Sequence, residues 1–347
     1  MQNIKRIIRY LVVLVLILFF LVIFASSIGS ADLSFKDTAK IFGSYVPGIN
    51  NFINISDIES QYFDIITKIR LPRIFISILV GIALASSGVI FQGIFRNPMA
   101  DPYIIGVSAG ASFGATIGLL ITTGVRILNI SSVSLFAFIG AIATTFLVYN
   151  ISKVRNRVSV LTLLLSGVAL SALLSSINSF ILMFEAHDLA KVIFWLMGGL
   201  TAASWQQFFI IFPIVVFLLI ISSFFLNDLN IISLGDERAT QLGVNTENVK
   251  RLLLILASLI AAAAVSVSGL IGFVGLITPH ILRLIVGPDH KILYPTSAVA
   301  GGIVLLVSDT IARTMLSPRE IPVGIITSII GVPFFLYLLI RSKKQVF

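Results

Sequence analysis

Long apolar stretches recur along this chain, and their length limits what it can fold into more than any other feature. A helix needs about 20 apolar residues to cross roughly 30 Å of hydrocarbon. A stretch at 273–286 is shorter than this, and nine others approach or reach that length: 10–28, 74–95, 103–121, 133–151, 159–184, 207–226, 252–271, 293–312 and 322–340. The pattern therefore predicts an all-α polytopic membrane protein with about ten transmembrane helices in one domain, 1–347.

The composition excludes other classes of protein. Hydrophobic residues make up 57% of the chain, whereas soluble domains are typically about 45 to 50% apolar. The chain has no cysteine, which excludes disulfides, thiolate metal sites and cysteine nucleophiles. Its histidines, His187, His280 and His290, do not show metal-ligand spacing. We therefore expect no metal and no cofactor in this chain, and the net charge of +9 is interpreted by loop and not as a nucleic-acid site.

The basic residues indicate how the spans are oriented, because Lys and Arg accumulate on the cytoplasmic side. Three of them precede the first span, which lacks the usual signal-peptide cleavage site. An even number of spans then returns the C-terminus to the cytoplasm. With both termini inside, the cytoplasmic basic residues are Lys5, Arg6, Arg9, Arg96, Lys153, Arg155, Arg157, Arg238, Lys250, Arg251, Arg283, Lys291, Arg341, Lys343 and Lys344.

The longest polar run in the second half of the chain is 227–250, NDLNIISLGDERATQLGVNTENVK. The orientation above places it in the cytoplasm. Gly235 and Gly243 predict two short helices broken at glycine and lying at the membrane surface. An ordinary solvated loop is the alternative, and composition alone favours it.

A transporter needs a source of energy, and the spans contain few carboxylates that could couple transport to an ion gradient. Only Asp309 lies well inside one, and Arg313, four residues later, is spaced to pair with it. The chain has no GxxxxGK[ST] loop for a nucleotide phosphate. We therefore expect a separate subunit to bind ATP and Mg, and the 227–250 segment to dock on it.

Small residues recur in the spans, as in ALASSG and AAAAVSVSG, and they favour closely packed helices around a path. The motifs SGVIFQGIFRNP from Ser87 and SGLIGFVGLITP from Ser268 are offset by 181 residues. The second and seventh spans are expected to run in opposite directions, so the offset predicts an inverted repeat of the kind many transporters use. Chance similarity between apolar stretches is the alternative.

An intramembrane hydrolase is the hypothesis from another class of protein. Ser108 lies in GVSAG, whose glycine spacing does not match the GxSxG motif of α/β-hydrolases, and only His280 lies close to a span. A catalytic pair needs these two residues to meet. A packing role for Ser108 is the simpler interpretation.

Four longer motifs resemble one family of proteins. They are RLPRIFISILVGIALASSGVIFQGIFRNPMADPYIIGVSAGASFGA at 70–115, SLGDERATQLGV at 233–244, GLIGFVGLITPHILRLIVGPDHKILYPTSAVAGG at 269–302, and SDTIART followed by REIPVGIITSIIGVPFFLYLL within 308–339. In this order they resemble the permease subunits of ABC importers for ferric siderophores, haem and cobalamin. The resemblance covers nearly the whole chain after the first span.

The resemblance implies a prokaryotic plasma-membrane permease that works as a homodimer. Its partners are two cytoplasmic ATP-binding subunits, one extracellular or periplasmic substrate-binding protein and membrane lipid. The implied substrate is a metal chelate, with ferric siderophore preferred and cobalamin or haem as alternatives. No motif selects among these substrates.

The resemblance also implies three sets of site residues. The ATPase-coupling residues are Leu234, Gly235, Asp236, Glu237, Arg238, Leu242 and Gly243. The residues that dock the binding protein are Arg70, Arg73 and Arg313, whose outer position opposes the positive-inside tendency and favours an acidic partner. The cytoplasmic gate comprises Asn97 and Met99, where the family's NPL pattern reads Asn97-Pro98-Met99, together with Val160 and Leu161, where this sequence departs from the family's hydroxyl residues.

Overall fold

The computed structural model describes residues 2–29, 34–44, 59–121, 126–127, 130–154, 157–184 and 189–343. Arg155, His187 and Lys344, which the sequence analysis singles out, lie outside these ranges. Two short antiparallel hairpins occur, β1 (Arg126–Ile127) with β2 (Ile130–Ser131) and β3 (Lys153–Val154) with β4 (Arg157–Val158).

Almost all other elements are helices. In chain order they are α1 (Gln2–Ser27), α2 (Phe35–Ser44), α3 (Ser60–Asp64), α4 (Leu71–Phe95), α5 (Val107–Ile121), α6 (Ser132–Ile151), α7 (Val160–Phe184), α8 (Leu189–Leu196), α9 (Trp205–Ser223), α10 (Leu226–Ile232), α11 (Asp236–Gln241), α12 (Thr246–Ser268), α13 (Val274–Val286), α14 (His290–Thr314) and α15 (Val323–Lys343). A π-helical segment, Ile65–Arg70, joins α3 to α4, and a 3-10 helix spans Pro102–Ile105.

The helices agree with the predicted membrane spans. Among the described residues, seven helices are long and apolar enough to cross a membrane: α1, the continuous α3–α4, α6, α7, α9, α12 and α14. The shorter apolar helices α5, α13 and α15 complete the ten predicted stretches. The stretch predicted at 103–121 becomes α-helical only at Val107, because a 3-10 helix and Gly106, with φ of 86°, precede it.

Helix α4 lies at the centre of the bundle, with nearly all of its side chains buried. Its glycines allow close approach of neighbouring helices, because a Cβ atom at Gly81 or Gly88 would collide with the carbonyl oxygen of Gly301 or Gly275, respectively. Ser87 Oγ also donates a hydrogen bond of 2.8 Å to the Ala257 carbonyl of α12. The prediction that small residues serve close helix packing is confirmed.

The helices do not reproduce the repeat at an offset of 181 residues. Gly88 lies in the middle of α4, whereas Gly269 follows the end of α12 with φ of 66°. What recurs is an order of helix lengths, a long helix, a shorter one and two long ones, in α4 to α7 and again in α12 to α15. The offset of 181 residues does not align the two sets of helices, because Gly269 ends α12 whereas Gly88 packs inside α4.

Candidate functional site

The polar segment 227–250 folds into short helices between α9 and α12. Helix α10 ends at Ile232, and α11 begins at Asp236. Between them Gly235 has φ of 113°, a conformation that residues with a side chain rarely adopt. Gly243, with φ of 86°, follows α11. The structure therefore contains the two helices and the glycine break that the sequence predicts.

Buried apolar residues fix this segment to the rest of the bundle. Ile232, Ala239 and Val244 form a small core of their own, and Leu226 and Leu229 of α10 join the main core. Burial of apolar surface stabilises such packing. The segment is thus a folded element and not an ordinary solvated loop.

The outward face of the segment mixes apolar and charged groups. Leu234 and Leu242 expose 57% and 62% of their surface. Between them, Glu237 and Arg238 of α11 are exposed as well. Exposed apolar side chains rimmed by polar ones are typical of a surface that binds another protein.

Asp236 connects α11 to two other elements. Its Oδ2 accepts a hydrogen bond of 2.6 Å from Lys250 Nζ on α12. Its Oδ1 lies 3.4 Å from Arg96 Nη2, within ion-pair distance. Arg96 follows the last residue of α4 and has a left-handed φ of 49°. One carboxylate therefore links the predicted coupling segment to the loop after α4.

The predicted gate loop begins directly after Arg96. Asn97 Oδ1 accepts a hydrogen bond of 2.9 Å from the Met99 backbone, and Asn97 is exposed while Met99 is half-buried. The Asp101 carboxylate ends the loop by accepting a hydrogen bond of 2.7 Å from the Tyr103 backbone. The half-buried Asp101 carboxylate is partly removed from water, which raises its pKa to about 6. Sequence reasoning missed Asp101, although an Asp-Pro pair is a recognisable turn signal.

The other predicted gate residues stand at the start of α7. Val160 and Leu161 expose 38% and 67% of their surface. No hydrogen bond between the described residues joins them to Asn97 or Met99. Helix α7 instead packs on the 3-10 helix that follows the gate loop, through Gly167 against the Ile104 backbone. A single copy of the chain does not show the two parts of the gate in contact.

The arginines predicted to dock a binding protein are buried at the opposite end of the bundle. Arg70, Arg73 and Arg313 expose 5%, 8% and 6% of their surface. Arg70 donates hydrogen bonds of 2.7 and 3.2 Å to the backbone carbonyls of Ser26 and Ser27. Arg313 donates to the Ala25 carbonyl. These contacts hold the end of α1 against α4 and α14.

Arg73 is the centre of an ion-pair network. Its guanidinium donates to both oxygens of Asp309 at 2.9 to 3.1 Å and to both oxygens of Glu320 at 2.8 to 2.9 Å. The predicted ion pair between Asp309 and Arg313 is wrong, because Asp309 forms its salt bridge with Arg73. Spacing along one helix permits a pair, but the planar fork of an arginine on a neighbouring helix meets the carboxylate with better geometry.

The residues of the hydrolase hypothesis are not joined. Ser108 lies in α5 and His280 in α13. No hydrogen bond links these two side chains in the described part of the chain. The arrangement gives no support to nucleophilic catalysis.

Comparisons with known proteins agree with this geometry. A family model described as the FecCD transport family matches residues 15–341. The cobalamin import system permease protein BtuC of Halobacterium salinarum is 46% identical over 79% of this chain and 73% of its own length. The hemin transport system permease protein HmuU of Yersinia pestis is 39% identical over 80% of this chain and 84% of its own. The Fe(3+) dicitrate transport system permease protein FecD of Escherichia coli is 36% identical over 82% and 87%, respectively.

A solved structure is similar over nearly the full length. It is described as an inward-facing conformation of a metal-chelate type ABC transporter. The TM-score is 0.77 and the identity 33%, over 96% of this chain and 99% of that one.

Proposed function

This chain belongs to the FecCD transport family of ABC importer permeases, and we propose that it carries a metal chelate inward by alternating access. The chain is not an enzyme, because ATP hydrolysis in these importers lies in separate subunits. Ferric siderophore is the first candidate substrate, because several of the similar permeases, FecD among them, are named for ferric chelates. Cobalamin is the second, and the 46% identity to a cobalamin permease favours it specifically. Haem is the third.

The proposed assembly has two copies of the chain, two ATP-binding subunits that hold ATP and Mg, and one external binding protein. In this proposal the assembly lies in the prokaryotic plasma membrane, with both termini of the chain in the cytoplasm. The structure supports this orientation because α1 begins beside the end of α13, and His290 at the start of α14 bonds Asn230 of α10 at 2.7 Å. The first basic cluster and the 227–250 segment therefore lie at the same end of the bundle. The proposed domain is one transmembrane unit, 1–347.

The observation that carries the proposal is the contact of Asp236 with both Arg96 and Lys250. An ATP-binding subunit that moves α11 would move this carboxylate. The movement would reach α12 through Lys250 and the gate loop through Arg96. The Arg96 and Asp236 side chains are each 43% exposed, and exposed pairs are worth roughly 0.2 to 1 kcal/mol, so the contact with the gate loop breaks and re-forms at little cost during a cycle.

Uptake by the reconstituted complex tests the proposed function. The permease is placed in proteoliposomes with its ATP-binding subunits and its binding protein. Radiolabelled ferric siderophore, cobalamin and haem are offered in turn. We expect ATP-dependent accumulation of one of the three, and accumulation of none would contradict the proposal.

The exposed leucines of the coupling segment provide a prediction about assembly. We expect the pair Leu234→Asp and Leu242→Asp to lower co-purification of the ATP-binding subunits about tenfold, because it places charge in an apolar contact. Leu316→Asp, also at an exposed leucine but at the other end of the bundle, is the matched control. Co-purification as high as in the control would remove these leucines from the interface.

The gate loop provides a prediction about the second copy. The chain has no native cysteine, so Met99→Cys introduces a single thiol. We expect it to cross-link to the same residue of a second copy in at least one nucleotide state. Lys291→Cys, at an exposed position on the same end, is the control. Labelled but uncross-linked Met99→Cys in every state would place the loop away from the dimer axis.

Docking of the binding protein on Arg70, Arg73 and Arg313 remains a prediction, and their burial decides how it is tested. Reversing the charge of Arg73 would disturb its ion pair with Asp309. Arg70→Gln with Arg313→Gln is the better variant, because the hydrogen bonds described for these two arginines go to backbone carbonyls of α1. We expect binding-protein affinity in nanodiscs to fall about tenfold. Arg319→Gln, an exposed arginine at the same end, is the control. Unchanged affinity in the folded double variant would leave these arginines a structural role only.

A further inference from the structure

A groove of about 790 Å³ opens between the first half of α1 and the end of α13. Its walls are apolar and include Leu14 of α1 with Leu282 and Ile285 of α13. Its rim is basic and is formed by Lys5, Arg6 and Arg9. A single cavity thus combines a hydrocarbon-like interior with three positive charges at one end.

The three basic side chains stand close together on exposed helix surface. Residues three and four apart share one face of a helix, which brings Arg9 next to both Lys5 and Arg6. The Arg6 guanidinium lies 5.8 Å from the centre of the Tyr10 ring, which holds it at the groove. No salt bridge between described residues neutralises any of the three. Like charges at this spacing repel one another, so an anion bound between them is stabilising.

The apolar walls stay open because α1 packs elsewhere. Ile7, Tyr10 and Leu14 each pack partly on the main core and α1 lies along α14, whereas Val13, which also lines the groove, exposes 51% of its surface. Ile285 on the facing wall exposes 56% of its surface, and its neighbour Leu284 exposes 68%. Side chains of this kind in a membrane-spanning protein contact acyl chains.

We propose that this groove binds one anionic phospholipid of the cytoplasmic leaflet. Its phosphate lies at Lys5, Arg6 and Arg9, and an acyl chain lies between Leu14 and Ile285. Basic pockets between membrane helices on the cytoplasmic side suit such head groups. The inference rests on the proposed orientation of α1. If these charges served only to orient α1 in the membrane, the groove would bind lipids equally well whatever their head group.

Photo-cross-linking tests the proposal on the permease with its ATP-binding subunits in phosphatidylcholine nanodiscs. The probe is photoreactive phosphatidylglycerol, compared with photoreactive phosphatidylcholine, and mass spectrometry locates the adducts. We expect phosphatidylglycerol adducts within 7–14 and 282–286. Equal adduct yields from the two probes would overturn the proposal.

Two variants separate the head group from the chain. Neutralising Lys5, Arg6 and Arg9 to Gln is expected to lower the phosphatidylglycerol yield at least tenfold, because the lipid phosphate loses all three of its positive partners. Lys36→Gln, Lys40→Gln and Lys291→Gln together make the same charge change elsewhere and are expected to keep the yield. Ile285→Trp fills the groove without changing charge and is expected to lower the yield as well. An undiminished yield in the triple neutralised variant or in Ile285→Trp would overturn the proposal.

The orientation on which the proposal rests is measured separately. A thiol introduced by Asn3→Cys is expected to react only from the cytoplasmic side of cell membranes. Reaction from outside would overturn the lipid site, whereas failure of ATP-dependent uptake would overturn the transport function and leave the cross-linking result standing.

Discussion

Replacing Asp309 by alanine is expected to lower the free energy of unfolding by about 3 kcal/mol, because removing one partner of a buried ion pair leaves the other uncompensated. The Asp309 side chain is fully buried, and Arg73 Nη2 lies 2.9 Å from its Oδ1. Glu320 would still pair with Arg73, which keeps the loss near the low end of the range for buried pairs. Unfolding in detergent, followed by circular dichroism, measures the difference.

Glu320 provides the matched control for this network. Its side chain is 39% exposed, so Glu320→Gln is expected to cost only about 0.2 to 1 kcal/mol. Removing both buried charges, by Arg73→Met with Asp309→Leu, is expected to recover most of the stability, because an apolar pair of similar volume avoids desolvating either ion. Equal losses for Asp309→Ala and Glu320→Gln would show that burial does not set the strength of these contacts.

Replacing Gly235 by valine is expected to lower uptake per ATP hydrolysed about tenfold while the permease stays folded. Gly235 has φ of 113° and ψ of 146°, a region that is essentially restricted to glycine. Collision is not the cause, because a Cβ there would meet only Arg96 Nη1, at 3.7 Å. The backbone must instead rotate, which moves Asp236 away from Arg96 and Lys250. Uptake and ATP hydrolysis by the same proteoliposomes give the ratio.

Gly199→Val is the control for this change, because Gly199 has open space around it and no left-handed φ. A charge exchange then tests the contact itself. Arg96→Asp and Asp236→Arg are each expected to lower the ratio, and the two together are expected to restore part of it. Normal coupling in Gly235→Val, with the ATP-binding subunits attached, would exclude this segment as the coupler.

The sequence by itself determined the helical class, the ten apolar helices and the break at Gly235. Each of these depends on local chemistry. A helix of about 20 apolar residues is long enough to cross a membrane, and a glycine permits a backbone angle that other residues avoid. Such properties can be read along the chain without knowing which helices are neighbours. The four long motifs added the family for the same reason, since they too are local.

Only the tertiary structure decided which charged groups meet. Sequence spacing predicted an ion pair between Asp309 and Arg313, but the close packing of α4 on α14 places Arg73 beside Asp309 instead. The packing of the end of α1 against α4 and α14 likewise buried Arg70 and Arg313, which orientation alone placed at an outer surface. The contact of Asp236 with Arg96 likewise joins residues that are distant in the chain. Ion pairs form between residues that are neighbours in space. Which residues become neighbours depends on how the glycine-lined helices pack, and no local sequence pattern predicts that packing.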